Sequence, residues 1–432
     1  MRAAYVLFMF HYSMINMGLM TGQMLRFMNK GCWALSKKVL FVASVVKKHI
    51  NQFHLTYLKW FKERGYEVHV CARNDFEDGE KCVIPYCDKY FDLPFSRSPL
   101  SLSNLTAFFK LKNIIDSGDY ELIHCHTPVA AVITRLAAVR FRQKGKKVIY
   151  TAHGFHFFKG APAVSRLYYV VEKFLAPFTD AIITINQEDY EAAEKFCKKC
   201  GCKSYLVHGV GVDTIRIRNT KVDRSAVRKN LGIPDDAFVI MTTVEINRNK
   251  NIATALRAFE KVKKPNMFYL VCGSGDMKSH CMELAKALGI SDNVIFAGYR
   301  YDVFTLLHIA DVFLFPSYRE GLGIAAIEAM SAGLPVIASD IRGVTEYAVN
   351  GKNSLLFRPD DVDGFAGAIA TLESNEKLRK ELGAEAERSV YKFDIRCSVK
   401  AMSEIYCEYA DIPVSGNHEC TENASDYERA SI

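Results

Sequence analysis

The sequence has no A-x-A cleavage site near its start, no tandem repeat, no Walker phosphate loop and no Asp-x-Asp triplet at the end of an apolar strand. These absences argue against a cleaved export signal, a solenoid, a P-loop nucleotidase and a carboxylate-held hard metal. Its 13 cysteines are an odd number, and most, such as Cys71, Cys125 and Cys272, sit singly in apolar runs. A secreted disulfide framework is therefore not expected. Cys197, Cys200 and Cys202 cluster, but without a second pair at zinc spacing they read as reduced thiols. No basic and aromatic nucleic-acid motif is visible, so nucleic acid is not an expected partner.

What is present is an ordinary globular composition: 432 residues, 49% hydrophobic and 24% charged, enough for two or three domains. The net charge of +8 is uneven, with 29 basic against 17 acidic residues in positions 1–210 and 27 against 31 in the remainder. The first half is thus expected to face something anionic, such as a membrane surface or a phosphorylated substrate. Residues 3–22 are uncharged and about as long as a bilayer crossing, but His11, Ser13, Asn16 and Thr21 interrupt them. Seven of the 13 methionines fall in the first 28 residues, so residues 1–36 read as an N-terminal extension or membrane anchor.

From residue 39 onward, short β-branched runs alternate with helical segments: 39–44, 67–72, 121–125, 147–152, 181–185 and 204–208. A second series follows at 238–244, 267–272, 294–298, 312–316 and 335–339. That alternation predicts an α/β chain with two Rossmann-like, doubly wound domains, residues 37–212 and 213–394. Polar residues 213–236 read as the junction between them, and a helix near 395–411 is free to pack on either domain. Residues 412–432 read as a disordered tail.

Residues 314–339, LFPSYREGLGIAAIEAMSAGLPVIAS, carry the chemistry. A buried strand ends at Pro316, a polar turn holds Ser317, Arg319 and Glu320, and Gly321 and Gly323 open a helix reaching about Ser331. Glycines at a helix start let backbone N–H groups approach phosphate, and the helix dipole favours the negative charge. Glu328 sits in an otherwise apolar helix, where an unpaired carboxylate is costly. It lies at most roughly 12 Å from Glu320 along the axis, which suits one carboxylate on a sugar and another on a ribose with a diphosphate between. A core salt bridge is the competing account. His153 follows the run 147–152, so it too belongs at a strand's carboxyl end, where open α/β sheets bind ligands. His124 and His126, in HCHTP, read as structural. The one Asp-x-Asp triplet, Asp361 to Asp363, lies in a loop and reads as helix capping.

Glu320, seven residues and then Glu328 within this segment resembles the signature of retaining glycosyltransferase family 4, with the two-domain GT-B fold. IRGVTEYAVNGKNSLLF (341–357) resembles the family's next segment. The N-terminal half, through HINQFHLTYLKWFKERGYEVHV (49–70), IHCHTP (123–128), YTAHGFHFFKGAP (150–162) and HGVGVD (208–213), is similar to a bacterial group building exopolysaccharide or capsule. The resemblance covers about residues 37–410. It implies an N-terminal acceptor domain and a C-terminal domain for the nucleotide-sugar donor. Glu320 would contact donor-sugar hydroxyls, Glu328 the ribose, and Gly321, Leu322 and Gly323 would offer backbone donors to the diphosphate. Lys250 matches the phosphate-binding lysine, and His153 the histidine beside the transferred sugar.

Two departures stand out. The family's usual arginine, five residues before the lysine and after a glycine, is replaced by Val244 and Glu245, which leaves Arg248 as the candidate substitute. The first loop reads SVVKKHI, without the usual glycine pair, which bears on the acceptor side. The implied activity is transfer of a sugar from a nucleotide diphosphate, a UDP-sugar, with retention onto a lipid-linked saccharide in surface polysaccharide assembly. No cofactor and no metal are expected. A GT-B nucleotide-sugar epimerase and a non-catalytic sugar-nucleotide or nucleic-acid binding module are the alternatives. Six basic residues within 133–147 and the aromatics of 155–178 suggest contact with an anionic membrane, hence a cytoplasmic location at the inner face of the plasma membrane.

Overall fold

The computed structural model describes residues 37–77, 79–158, 162–410 and 412. The expected extension or anchor at 1–36 and the tail, apart from Ile412, lie outside the described residues. No helix among those described is long and apolar enough to cross a membrane.

Seven strands form the first sheet: β1 (Lys38–Val45), β2 (Glu67–Arg73), β3 (Lys89–Asp92), β4 (Tyr120–His126), β5 (Lys147–Ala152), β6 (Ala181–Thr184) and β7 (Lys203–Leu206). Six form the second: β8 (Phe238–Thr243), β9 (Met267–Cys272), β10 (Val294–Gly298), β11 (Val312–Phe315), β12 (Val336–Ser339) and β13 (Ser354–Phe357). The orders are β3-β2-β1-β4-β5-β6-β7 and β10-β9-β8-β11-β12-β13. Every pairing is parallel. Both sheets are doubly wound, and their order reverses between β1 and β4 and between β8 and β11, the places where crevices open at strand carboxyl ends.

Strands buried on both faces need continuous apolar runs, which is why β1, with Val39 to Ala43 wholly enclosed, was legible. The edge strands β3 and β13 were not anticipated. Each has four residues, β3 is half-exposed, and neither carries a run long enough to stand out. Polar residues 213–236, expected as a junction, contain helices Thr214–Arg218 and Arg224–Asn230, capped by the Asp213 and Asp223 carboxylates. Arg228 is buried there and donates to the carbonyls of Ile309, Asp235 and Ala237.

The helix Ile395–Ala410 belongs to the first domain's core. Met402, Ile405 and Tyr406 pack with Val39, Leu58 and Phe61, and the Tyr406 hydroxyl lies 2.9 Å from His124 Nδ1. The chain returns beside its own crossing point, where Ile395 N donates to Val212 O. Gly211, at φ +87°, is required here, since a Cβ would fall 2.4 Å from Ile395 Cα.

Candidate active site

The expected donor-side residues converge at the carboxyl ends of β8 and β11. β11 delivers Ser317 to Glu320, and Gly323, at φ +84°, turns the chain into helix Ile324–Ser331. No side chain fits at Gly323: a Cβ would lie 2.9 Å from both the Phe315 ring and the Tyr347 hydroxyl. Lys250, on a single 3-10 turn after β8, puts Nζ 2.6 Å from Glu320 Oε1. Glu320 is buried, so this is a largely desolvated pair. Arg248 is exposed and outside it. Glu245 is exposed as well and accepts a hydrogen bond from Asn247, so it does not intrude on the Lys250 pair.

Glu328 lies one helical turn further in and is partly buried. No group hydrogen-bonds its carboxyl among the described residues, and desolvation alone pushes it up to about 7. The core salt bridge weighed as an alternative is absent for this residue. Asp361 caps the helix Val362–Ser374 by accepting from Gly364 N.

His153 closes the site from the other domain. A Cβ on Gly321 would sit 2.2 Å from the His153 carbonyl oxygen, and Asn186 Nδ2 donates to Gly321 O at 3.0 Å. Sequence reasoning missed the clamp around this contact. Arg342, on the loop after β12, reaches Asp189 Oδ1 at 2.6 Å and donates to the carbonyls of Phe155 and Phe157. Asp189 in turn accepts from Phe155 N and Asn186 Nδ2. Burial raises the Asp189 carboxyl above its ordinary range despite Arg342. The signal for the clamp was Arg342 itself, an arginine in a segment already singled out.

The acceptor side holds a second surprise. His49 and His54 join His126 and His153 in one cluster, each offering a ring nitrogen within 4.8 Å of the others. His124 is structural, bonded to Tyr406 and Thr151. His126 is different: both its ring nitrogens are buried without a partner, as are His54 Nδ1 and His153 Nε2. Each such group costs about 1–3 kcal/mol. Burial lowers all four pKa values, that of His153 to about 4, so the rings are neutral. The spacing H-x4-H in HINQFH was the available signal. The thiols of Cys197, Cys200 and Cys202 are free.

Of the six basic residues in 133–147, Arg135 is wholly buried against Glu172 and Arg142 pairs with Asp180, so neither is available to a membrane. The aromatic segment divides: Phe155 is core, whereas Leu167, Val170 and Phe174 are exposed.

Comparison with known proteins agrees with this architecture. Residues 38–186 match the "Glycosyl transferase 4-like" family model and residues 223–389 the "Glycosyl transferases group 1" model. EpsD of Bacillus subtilis (strain 168), described as a glycosyltransferase, is 40% identical over 382 residues, covering 88% of this chain and 98% of EpsD. An Escherichia coli UDP-Gal:alpha-D-GlcNAc-diphosphoundecaprenol alpha-1,3-galactosyltransferase is 25% identical, with 71% and 80% of the two chains covered. Among solved structures, Anabaena Alr3699/HepE in complex with UDP and glucose superposes with a TM-score of 0.70 at 19% identity, covering 86% of this chain and all of the other.

Proposed function

The chain belongs to the family 4 glycosyltransferases of GT-B fold, and on that premise we propose that it moves a sugar from a UDP-sugar, with retention, onto a lipid-linked saccharide in surface polysaccharide assembly. One observation carries the reading. An unpartnered, desolvated carboxyl (Glu328) and a carboxylate–ammonium pair (Glu320, Lys250) flank one glycine-opened helix start, opposite His153.

In this reading, ribose hydroxyls supply the hydrogen bonds that Glu328 lacks. The diphosphate lies against the backbone N–H groups at Gly321, Leu322 and Gly323, with Lys250 and Arg248 offsetting charge as it departs. Glu320 accepts from hydroxyls of the transferred sugar, and His153 borders that sugar through the carbonyl that lies against Gly321. The acceptor hydroxyl attacks from the face the diphosphate leaves. The new C–O bond forms there as the old one breaks, and the leaving phosphate takes the proton. The UDP and glucose seen with the HepE fold relative, and the diphosphoundecaprenol acceptor of the Escherichia coli relative, support the choice of substrate classes.

Helix Arg166–Leu175 supports a membrane-side acceptor. Leu167, Val170 and Phe174 recur at i, i+3 and i+7 on a face turned to solvent, beside Arg166 and Lys173. The test is to incubate the chain with UDP-, GDP- and TDP-sugars and polyprenyl diphosphate saccharides, following nucleotide release and product anomer. UDP release coupled to an α-linked lipid product from an α-donor is expected. A product that stays on the nucleotide would identify an epimerase instead.

A further inference from the structure

His49, His54, His126 and His153 come from three separate crossovers: the turn after β1 and the helix it feeds, the end of β4, and the loop after β5. They meet where the strand order of the first sheet reverses. We propose that the four imidazoles hold one divalent transition cation, of the zinc class, that ties these three loops together on the acceptor side of the cleft.

Three observations carry this. The first is distance: His49 Nε2 and His54 Nε2 are 3.1 Å apart, close to the edge of roughly 3.3 Å between nitrogens of a tetrahedron with 2.0–2.1 Å metal bonds. The remaining ligand atoms lie within 4.8 Å of one another, and metal-bond distance requires the His126 ring, stacked on His54 with centroids 3.8 Å apart, to turn its lone pair inward. The second is hydrogen-bond accounting. A neutral imidazole has one donor and one acceptor, and the single His49–His54 contact leaves His126 Nδ1 and Nε2, His54 Nδ1 and His153 Nε2 buried with nothing to bond. The hydrogen bonds present do not account for them, whereas a cation takes one lone pair from each ring, which engages His153 Nε2 and one nitrogen of His126 and leaves His54 Nδ1 and the second His126 nitrogen as N–H groups. The third is ligand type. Four nitrogens and no carboxylate suit zinc, copper or nickel, and not magnesium or calcium.

Four protein ligands close the coordination sphere, which makes the site a brace rather than a catalytic metal. A cavity of about 10 Å³ lined by His54, His124, His126 and Thr151 is just large enough for one water to bond an outward ring nitrogen. With its ring engaged, His153 keeps its carbonyl against Gly321. Nothing in this site depends on the identity of the donor sugar.

The test uses the full chain, stripped of metal, titrated with zinc by calorimetry and counted by elemental mass spectrometry. One zinc per chain is expected, with a higher melting temperature. His49→Gln and His54→Gln should each weaken binding by more than the roughly 10- to 100-fold that loss of an outer-shell partner costs, while His208→Gln, outside the cluster, binds as wild type. Cobalt substitution of the wild-type chain reads the site without any variant, as the visible spectrum of a tetrahedral nitrogen-ligated ion. No zinc retained at micromolar concentration, equal retention in His49→Gln and His54→Gln, or a sulfur-to-cobalt band pointing to Cys197 and its neighbours would each overturn the proposal.

Discussion

Lys250 Nζ lies 2.6 Å from Glu320 Oε1, joining the turn after β8 to the turn after β11. A loop lysine with little packing is expected to cost little stability when removed, but this one is the partner of a buried carboxylate. Lys250→Ala leaves Glu320 uncompensated, and breaking such a pair costs about 3–5 kcal/mol. Turnover falls as well, by about a hundredfold, the usual cost of one lost charge contact in a water-poor site. Pairing Lys250→Met with Glu320→Gln should restore most of the melting temperature, while turnover stays low because both groups are proposed to act on the donor. If turnover recovers alongside stability, Lys250 has no role at the diphosphate.

Glu328 allows a sharper test, because its carboxyl is raised from 4.5 to about 7 by desolvation. A raised carboxyl binds its proton more tightly in the folded state, so stability falls as pH climbs from about 4.5 to 7 and is flat above. The full penalty is on the order of 3 kcal/mol. Glu328→Gln should therefore melt higher than wild type at pH 8 and equally at pH 4. Nucleotide binding should move the opposite way. In the proposed reading ribose hydroxyls donate to the ionised form, so wild-type affinity should rise with pH up to about 7 and level, and Glu328→Gln should bind weakly with no such rise. Calorimetry showing equal affinity in the two proteins would remove the ribose assignment.

These two carboxylates also show what was legible from sequence and what was not. Their spacing, across one turn and into the helix it opens, is local, so it could be read directly, as could the long buried strands whose apolar runs are continuous. The Lys250–Glu320 contact joins residues 70 apart in the chain and follows from two strands being neighbours in the sheet order, which no local pattern encodes. The same holds for His49, His54, His126 and His153, which only the parallel sheet brings together. Arg135 misled for a related reason: its charge looked like surface, but Glu172 on a later helix pairs with it in the core. β3 and β13 escaped because a four-residue edge strand buries too little to leave a run.

Arg342 and Asp189 connect the two domains through a pair that is almost fully enclosed. Arg342→Met removes the guanidinium from a carboxylate that burial already penalises, so the melting temperature should fall by the equivalent of about 3 kcal/mol. The carbonyls of Phe155 and Phe157 lose their donor too, which frees the loop following His153. kcat should drop more than nucleotide affinity, because the groups proposed to hold the donor lie chiefly in the other domain. Arg342→Met together with Asp189→Asn should regain stability, and only partly regain kcat. A variant with normal kcat would mean the clamp is structural alone.

The solvent-facing stripe on helix Arg166–Leu175 gives the last prediction. Leu167, Val170 and Phe174 are each more than half exposed, at 63%, 58% and 64%, as is Val164, at 70%, on the turn just before the helix. A surface helix of a globular protein ordinarily turns such residues inward, and here Glu172 and Leu175 occupy the inward face instead. Arg166 and Lys173 flank the stripe, which matches an interfacial helix lying on anionic lipid. Replacing Leu167, Val170 and Phe174 with Ser removes side chains that are mostly exposed, with the Phe174–Phe178 ring contact as the main loss, so the melting temperature should stay within about 1 kcal/mol-equivalent of wild type. Partitioning onto vesicles containing phosphatidylglycerol should fall at least tenfold, since each side chain withdrawn from the interface forfeits on the order of 1 kcal/mol or more. Activity on a water-soluble acceptor analogue should be unchanged, while activity on the polyprenyl-linked acceptor in vesicles falls in step with binding. Wild-type partitioning by the triple variant would show that the stripe does not meet the membrane.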